Sequence, residues 1–343
     1  MNAQPLVSVI IPNYNYGRSL AQCVRSVLEQ DYANKEIIVV DDCSTDGSAE
    51  IARGLGVEVI STGRNSGVAV ARNTGVEHAS GEILFFLDSD VALTPGAIRE
   101  AVDQLRDNPG IGAVCGMYEP EPLIRDSLVE ECRCLQAYYW RTSSEGSVSF
   151  LISAICALRV EVFHEIGPFN PNLRQTEEVD YGQRLSQHYE IRLTPAITGF
   201  HDDDDRLWPL VRKIFTRGRL RVPLYARRRK FSKGFETAFR VWASVAAFLA
   251  VVTLPAPLVV GPLGWLLPAA ALAAVFALDF GMYRYVASAR GPLFLLSFAG
   301  VQLVFNLTVA VAVLVGAVHW VVSPAFRRLY DRDDLAASGV GAR

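Results

Sequence analysis

The 343-residue chain is 50% hydrophobic, has a positive mean hydropathy and carries a formal net charge of −3, which suits one large globular domain joined to something unusually apolar. The charge is unevenly placed: residues 1–205 hold 15 Lys and Arg against 31 Asp and Glu, and residues 206–240 hold 12 basic residues against Glu236 alone. The six cysteines, Cys132-x-Cys134 included, lack the second pair and the histidine spacing of a zinc site, and no nucleic-acid-binding motif accompanies the basic segment, so a zinc domain and a nucleic-acid partner are excluded.

Four segments are expected: an acidic domain over 1–205, a basic amphipathic segment over 206–240, transmembrane helices within 241–326 and a polar tail over 327–343. The cysteines read as reduced, mostly buried thiols. No charged, cleavable signal precedes the first strand, so the acidic domain is expected on the cytoplasmic side of an inner membrane.

In chain order, Leu6 to Pro12 reads as a strand ended by proline, followed by turn residues Asn13 to Gly17. Ser19 is placed to cap a helix whose apolar positions Leu20, Val24, Val27 and Leu28 recur at helical spacing. A second strand, Glu36 to Val40, ends in Asp41-Asp42. A helix from Ala49, a short strand Val57 to Ile60 and a glycine-led helix carrying Arg72 come next. Then Ile83 to Leu87, a wholly apolar run, stops at Asp88-Ser89-Asp90.

This alternation predicts an α/β domain with a doubly wound, mostly parallel sheet and right-handed crossovers. In such sheets the chemistry sits beyond the carboxyl ends of the strands, where all these polar clusters fall. Asp88 and Asp90 present two hard oxygen donors, suited to Mg²⁺ or Mn²⁺ completed by substrate phosphates.

Beyond Asp90, Thr94 and Pro95 open a helix through Leu105, and Ile111 to Val114 reads as a strand. The segment Tyr118 to Glu145 has no clear period; its cluster Tyr138-Tyr139-Trp140 reads as core packing. Phe150 to Arg159 reads as a strand, Val160 to Ile166 as a helix, and Thr176-Glu177-Glu178-Val179-Asp180 as an acid-rich helix start stabilised by the helix dipole. Ile191 to Thr194 and Ile197 to Phe200 precede His201 and four aspartates, Asp202 to Asp205. The aspartate run reads as a solvated loop.

The strand Val7 to Pro12 with Asn13-Tyr14-Asn15, the run Val40 to Ser48, Asn65-x-Gly67 with Ala71-Arg72-Asn73, and Leu87-Asp88-Ser89-Asp90 together resemble the family 2 inverting glycosyltransferases of GT-A fold. The resemblance covers residues 5 to about 205. It implies that Pro12 and Tyr14 form the wall beneath a nucleotide base, that Asp41 and Asp42 contact the base, and that Arg72, Asp88 and Ser89 are nucleotide contacts. Asp88 and Asp90 would hold the metal; His201 reads equally as a further ligand or as a structural histidine. The family's acceptor-activating base falls at Glu178, where an aspartate is usual, with Glu177 and Asp180 as local alternatives. The donor implied is a UDP or GDP sugar.

From Leu207 the pattern is helical and basic, with Arg212, Lys213, Arg217, Arg219 and Arg227 to Lys230 interleaved with Trp208, Phe215 and Leu224, as in interfacial membrane segments. Val241 to Val260 and Pro262 to Phe280 each have about the 20 residues of a membrane span, and flanking arginines predict a hairpin with both ends cytoplasmic. Pro292 to Val322 is apolar but too long for one upright span and short for two, leaving two to four crossings open.

The resulting expectation is a metal-dependent, membrane-associated hexosyltransferase of the cell envelope, moving one sugar to a hydroxyl on a lipid-linked or glycan acceptor. The chain lacks a Gln-x-x-Arg-Trp run after the base region, so single addition is expected over processive polysaccharide synthesis. Transfer to polyprenyl phosphate is the alternative enzyme reading, and a nucleotide-sugar-binding membrane assembly protein is the non-enzymatic one. A dehydrogenase is excluded because no G-x-G-x-x-G turn follows the first strand.

Overall fold

A computed structural model describes residues 4–228 and 238–331. Two compact units emerge, one from residues 4–125 and 140–203, the other from residues 126–139 and 204–330. Arg229 and Lys230, the rest of the basic block to residue 237 and the tail from 332 lie outside the described residues.

The first unit is built on a nine-stranded sheet ordered β3-β2-β1-β4-β8-β6-β9-β5, with β7 paired to β9. Its first half is parallel: β1 (Val7–Asn13), β2 (Lys35–Asp41), β3 (Glu58–Ser61) and β4 (Ile83–Leu87). Every residue of β1 and β4 is buried. Strands covered on both faces read as continuous apolar runs rather than alternating ones, which is why these two were legible as core strands. Helices α1 (Leu20–Leu28), α2 (Ser48–Gly54) and α3 (Val68–His78) make the crossovers. At Gly75 of α3 a Cβ would stand 2.3 Å from Ile10 Cγ2, so the helix lies directly on β1.

The second half of the sheet is mixed. Strand β8 (Ile155–Arg159) runs antiparallel to both β4 and β6 (Ile111–Pro122), and β6 runs parallel to β9 (Glu190–His201). Between β4 and β6 come β5 (Val91–Leu93) and α4 (Ala97–Asp107). Helix α5 (Leu128–Thr142), shared between the two units, leads to β7 (Gly146–Val148). Helices α6 (Val160–Ile166) and α7 (Glu177–Leu185) follow β8.

Several local expectations are corrected. Ser19 occupies the N-cap of α1 without a side-chain cap bond, and the cap of α4 is Gly96, not Thr94, because Thr94 is drawn to Thr198 across the sheet. The two segments expected after Glu190 are one strand, bulged against β6. All six cysteines are unbridged.

The second unit is helical: α8 (Leu207–Arg228), α9 (Ala238–Val252), α10 (Ala256–Val260), a 3₁₀ turn at Pro262–Trp265, α11 (Leu266–Leu278), α12 (Phe280–Arg290), α13 (Pro292–Val322) and α14 (Pro324–Arg327). The stretch Val241 to Val260 is therefore not one helix. Pro255 lacks an N–H and its ring obstructs the preceding turn, so the helix stops at Val252 and restarts.

Helices α11 and α12 are bent by 70° at Asp279. Pro292–Val322, in contrast, is one unbroken helix of 31 residues. Among the described residues it is the one helix long and apolar enough to cross a membrane, or one of two if the bent pair counts as a span. Tyr138 and Tyr139 stack on Tyr285, and all three rings are half-buried.

Candidate active site

The parallel register sets Asn13 beside Asp41, so the loops after β1 and β2 meet. Asn13 Nδ2 donates to Asp41 Oδ1 at 3.0 Å and to Ser48 Oγ at 2.8 Å, while the Ser44 amide donates to Asp41 Oδ2 at 3.1 Å. Asp42 accepts from Thr62 Oγ1 at 2.6 Å, from the Ser66 amide at 2.8 Å and from the Gly67 amide at 2.7 Å. Both aspartates are thus buried and braced by the chain. Pro12 is buried in β1, whereas Tyr14 is 44% exposed.

Gly67, at φ 95°, turns the chain into α3 in a conformation that L side chains rarely adopt. Just over one turn later, buried Arg72 reaches the residue that follows β4. Its Nη2 donates to Asp88 Oδ1 at 2.7 Å and its Nη1 to Glu177 Oε1 at 2.8 Å, with the guanidinium 5.6 Å from the centre of the Phe169 ring. One cation serves two carboxylates. Burial, with Glu178 nearby, therefore pushes Glu177 up to about 7 against the pull of Arg72. Burial also raises Asp88, again opposed by Arg72 and reinforced by Asp90.

Asp90 faces elsewhere. The β5–β9 pairing sets Val91 opposite His201, which brings His201 Nε2 to 3.5 Å from Asp90 Oδ2. Asp90 Oδ1 is buried with no hydrogen-bond partner. His201 stacks on Tyr118 at 4.3 Å between ring centres, and the Arg141 guanidinium lies 3.7 Å over the other side of that tyrosine. Burial works against a charge on His201, but Asp90 and Asp203 outweigh it and raise the imidazole above its ordinary range.

Of the three expected metal ligands, the structure pairs Asp90 with His201 and turns an Asp88 oxygen to Arg72. Among the described residues no three His, Cys, Asp or Glu side chains gather at metal-binding spacing. An orphaned carboxylate oxygen beside an imidazole fits a hard divalent cation that takes its remaining ligands from substrate phosphates.

The three acidic residues of α7 differ in accessibility. Glu177 is buried against Arg72, and Asp180 is buried and paired with Arg184 at 3.2 Å. Glu178 is only half-buried. Ser89 is buried between the two aspartates of the β4 end. Asn13, Tyr118 and Arg141 were missed as site residues. Asn13 lay in plain view beside Tyr14, whereas nothing in the local pattern marks Tyr118 or Arg141 as neighbours of residue 201.

Residues 8–167 match the family described as Glycosyl transferase family 2. The putative teichuronic acid biosynthesis glycosyltransferase TuaG of Bacillus subtilis (strain 168) is 46% identical over 94 residues, covering 26% of this chain and 37% of that one. Glycosyltransferase GlyG of Streptococcus pneumoniae serotype 4 is 28% identical over 180 residues, covering 47% and 59%. The chain thus spans roughly a third to three-fifths of the length of these curated relatives. Among solved structures, mannosyltransferase PcManGT from Pyrobaculum calidifontis, in complex with GDP-Man and Mn²⁺, superposes with a TM-score of 0.58 at 21% identity, covering 91% of this chain and 88% of that one. The fold is of GT-A type.

Proposed function

We propose, from the match of residues 8–167 to glycosyl transferase family 2, that the chain moves one sugar, with inversion, from a nucleotide-diphosphate sugar to an acceptor hydroxyl on a lipid-linked or cell-envelope glycan. The observation that carries this reading is the Arg72 bridge. It joins the end of β4, where a diphosphate would sit, to the first turn of α7, where Glu178 has room to meet an acceptor.

In this reading Tyr14 and Pro12 support the base of a UDP or GDP sugar, and Asp41 and Asp42 shape the loop that receives it. Asp90 and His201 would hold a divalent metal, with Asp88 and Ser89 beside them where the diphosphate would lie. Bound Mg²⁺ or Mn²⁺ would supply the positive charge that offsets charge building on the leaving group. Arg72 fixes Asp88 and Glu177 in place. Glu178 takes the proton of the acceptor hydroxyl as that oxygen attacks the anomeric carbon from the face opposite the diphosphate.

The apolar helices and the basic residues of α8 support attachment to an anionic membrane, with the first unit on the cytoplasmic side. The solved neighbour holding GDP-Man and Mn²⁺ supports a nucleotide-sugar donor and a divalent metal. Mass spectrometry of products formed by membranes given a panel of nucleotide sugars tests the proposal. Transfer is expected from one donor and lost in Asp90→Ala. Tight binding of Mn²⁺ and UDP or GDP with no sugar release or transfer from any donor would overturn it in favour of a binding protein.

A further inference from the structure

Within the helical unit, α9 and α11 pack as an antiparallel hairpin. Ala246 and Ala247 are buried against Val275, and at the base of the hairpin the charges of Arg240 and Asp279 act on each other. From that base residues 241–252 rise about 18 Å, and the 13 residues of α11 about 20 Å. Neither arm reaches across a hydrocarbon core of about 30 Å.

The end of the hairpin is unlike a loop built for water. Residues 254–278 contain no charged side chain, and their one polar side-chain group is the indole N–H of Trp265. Leu258 is 89% exposed, Val259 84% and Leu263 74%. The tip is nonetheless folded: a Cβ at Gly264 would stand 2.5 Å from the Pro257 nitrogen, so α10 and the 3₁₀ turn pack on each other. A loop delivered to the far aqueous phase would present polar groups there, whereas this one presents an apolar patch.

Helix α13 has the length to cross a bilayer, but its neighbours oppose it. Leu293, Leu296, Val311, Leu314, Val318 and Val321, all exposed, fall within about 80° of one another at 3.6 residues per turn, one stripe from end to end. Exposed arginines stand beside the helix at two levels. Arg284 follows Tyr283, whose ring meets that of Phe298, and Arg217 precedes Gly218, where a Cβ would lie 3.0 Å from that of Ala312. Between those levels Gln302 accepts from Gln136 of α5, and Asn306 from Ser244 of α9. Any stretch of about 20 residues taken from α13 would carry Arg284 or Arg217 into the hydrocarbon with it, which is costly.

We propose that the helical unit meets a phospholipid bilayer from one side only. Helix α13 lies along the surface with its apolar stripe among the acyl chains, and the hairpin dips in and ends there, so no described segment emerges on the far side. The arginines beside α13 then stay at the level of the headgroups, and the leucines and valines of the tip exchange water for hydrocarbon.

The inference rests on the membrane attachment proposed above, and its test separates the two. Single cysteines are placed in the full chain at Ser288 and Ala325, exposed sites on either side of α13, and at Leu258 in the tip. A membrane-impermeant maleimide is applied to spheroplasts of a bacterial host and to inverted membrane vesicles, and modified peptides are identified by mass spectrometry. Ser288→Cys and Ala325→Cys are expected to label together in inverted vesicles and not in spheroplasts. Leu258→Cys is expected to label in neither until detergent is added. Labelling of the two flanking cysteines from opposite sides would reveal a crossing helix and overturn the inference. Labelling of Leu258→Cys in either preparation without detergent would overturn it equally, because the tip would then stand in water. Recovery of the chain in the soluble fraction would instead overturn the attachment itself.

Discussion

Arg72 donates to Asp88 at 2.7 Å from a side chain that is only 3% exposed, so the aspartate that ends β4 is fixed by a residue sixteen positions earlier rather than by solvent. Removing the guanidinium in Arg72→Met leaves Glu177 buried and both carboxylates unpaired. Breaking a buried pair in this way costs about 3–5 kcal/mol. Denaturant unfolding should show that loss, and Arg72→Lys should recover only part of it because a lysine cannot bridge both partners in one plane.

The same trio makes stability depend on pH. Glu177 holds its proton up to about 7 in the fold, against an ordinary value of 4.5. A group raised in the folded state stabilises it fully below the ordinary value and ceases to do so as pH rises through the raised one. Stability should therefore fall between about pH 4.5 and 7, by about 3 kcal/mol from this group. Glu177→Gln should flatten that slope in melting curves recorded across the interval.

For the acceptor base, Glu178→Gln is expected to lower kcat by about 10²- to 10⁴-fold while leaving donor affinity unchanged. Asp180→Asn should act chiefly on stability, because its carboxylate is committed to Arg184. Steady-state kinetics beside donor-binding calorimetry checks both. Near-normal turnover in Glu178→Gln would point to a phosphate acceptor, which arrives already ionised.

Metal affinity offers a separate readout. Asp90→Asn should abolish the dependence of UDP or GDP binding on Mn²⁺ in calorimetry. Tyr118→Leu removes the ring against which His201 lies and should weaken Mn²⁺ about tenfold without changing metal-free nucleotide binding. An unchanged Mn²⁺ titration in Tyr118→Leu would reduce the stack to packing alone.

A core variant tests the fold itself. Gly75→Ala forces a methyl toward Ile10 and Val40, and should destabilise by about 1–3 kcal/mol through displacement of α3 from β1. Thermal melts in detergent would register it.

What was legible in the sequence was local and strongly periodic. The strands ending at Asn13, Asp41 and Leu87 are apolar runs halted by polar residues, and they were placed to within a residue or two. Strand β5 escaped because three residues carry no period. The antiparallel run of β8 against β4 escaped because side-chain alternation is blind to strand direction. Helix α5 mixes acids, cysteines and aromatics on no clean face. At the site, residue types announced themselves but pairings did not: Arg72 meets Glu177 across 105 positions, and His201 reaches Asp90 only through β5 and β9.

Asp42 fastens Ser66 and Gly67, Gly67 starts the helix bearing Arg72, and Arg72 grips Asp88 and Glu177. These residues form a truss that links the loop after β2 to the end of β4 and the first turn of α7. Under the proposed function, donor preference and turnover are consequently expected to change together. An exchange of Asp42 made to accept a different base is then expected also to shift the helix that carries Glu178, and engineering of one property has to be scored on both.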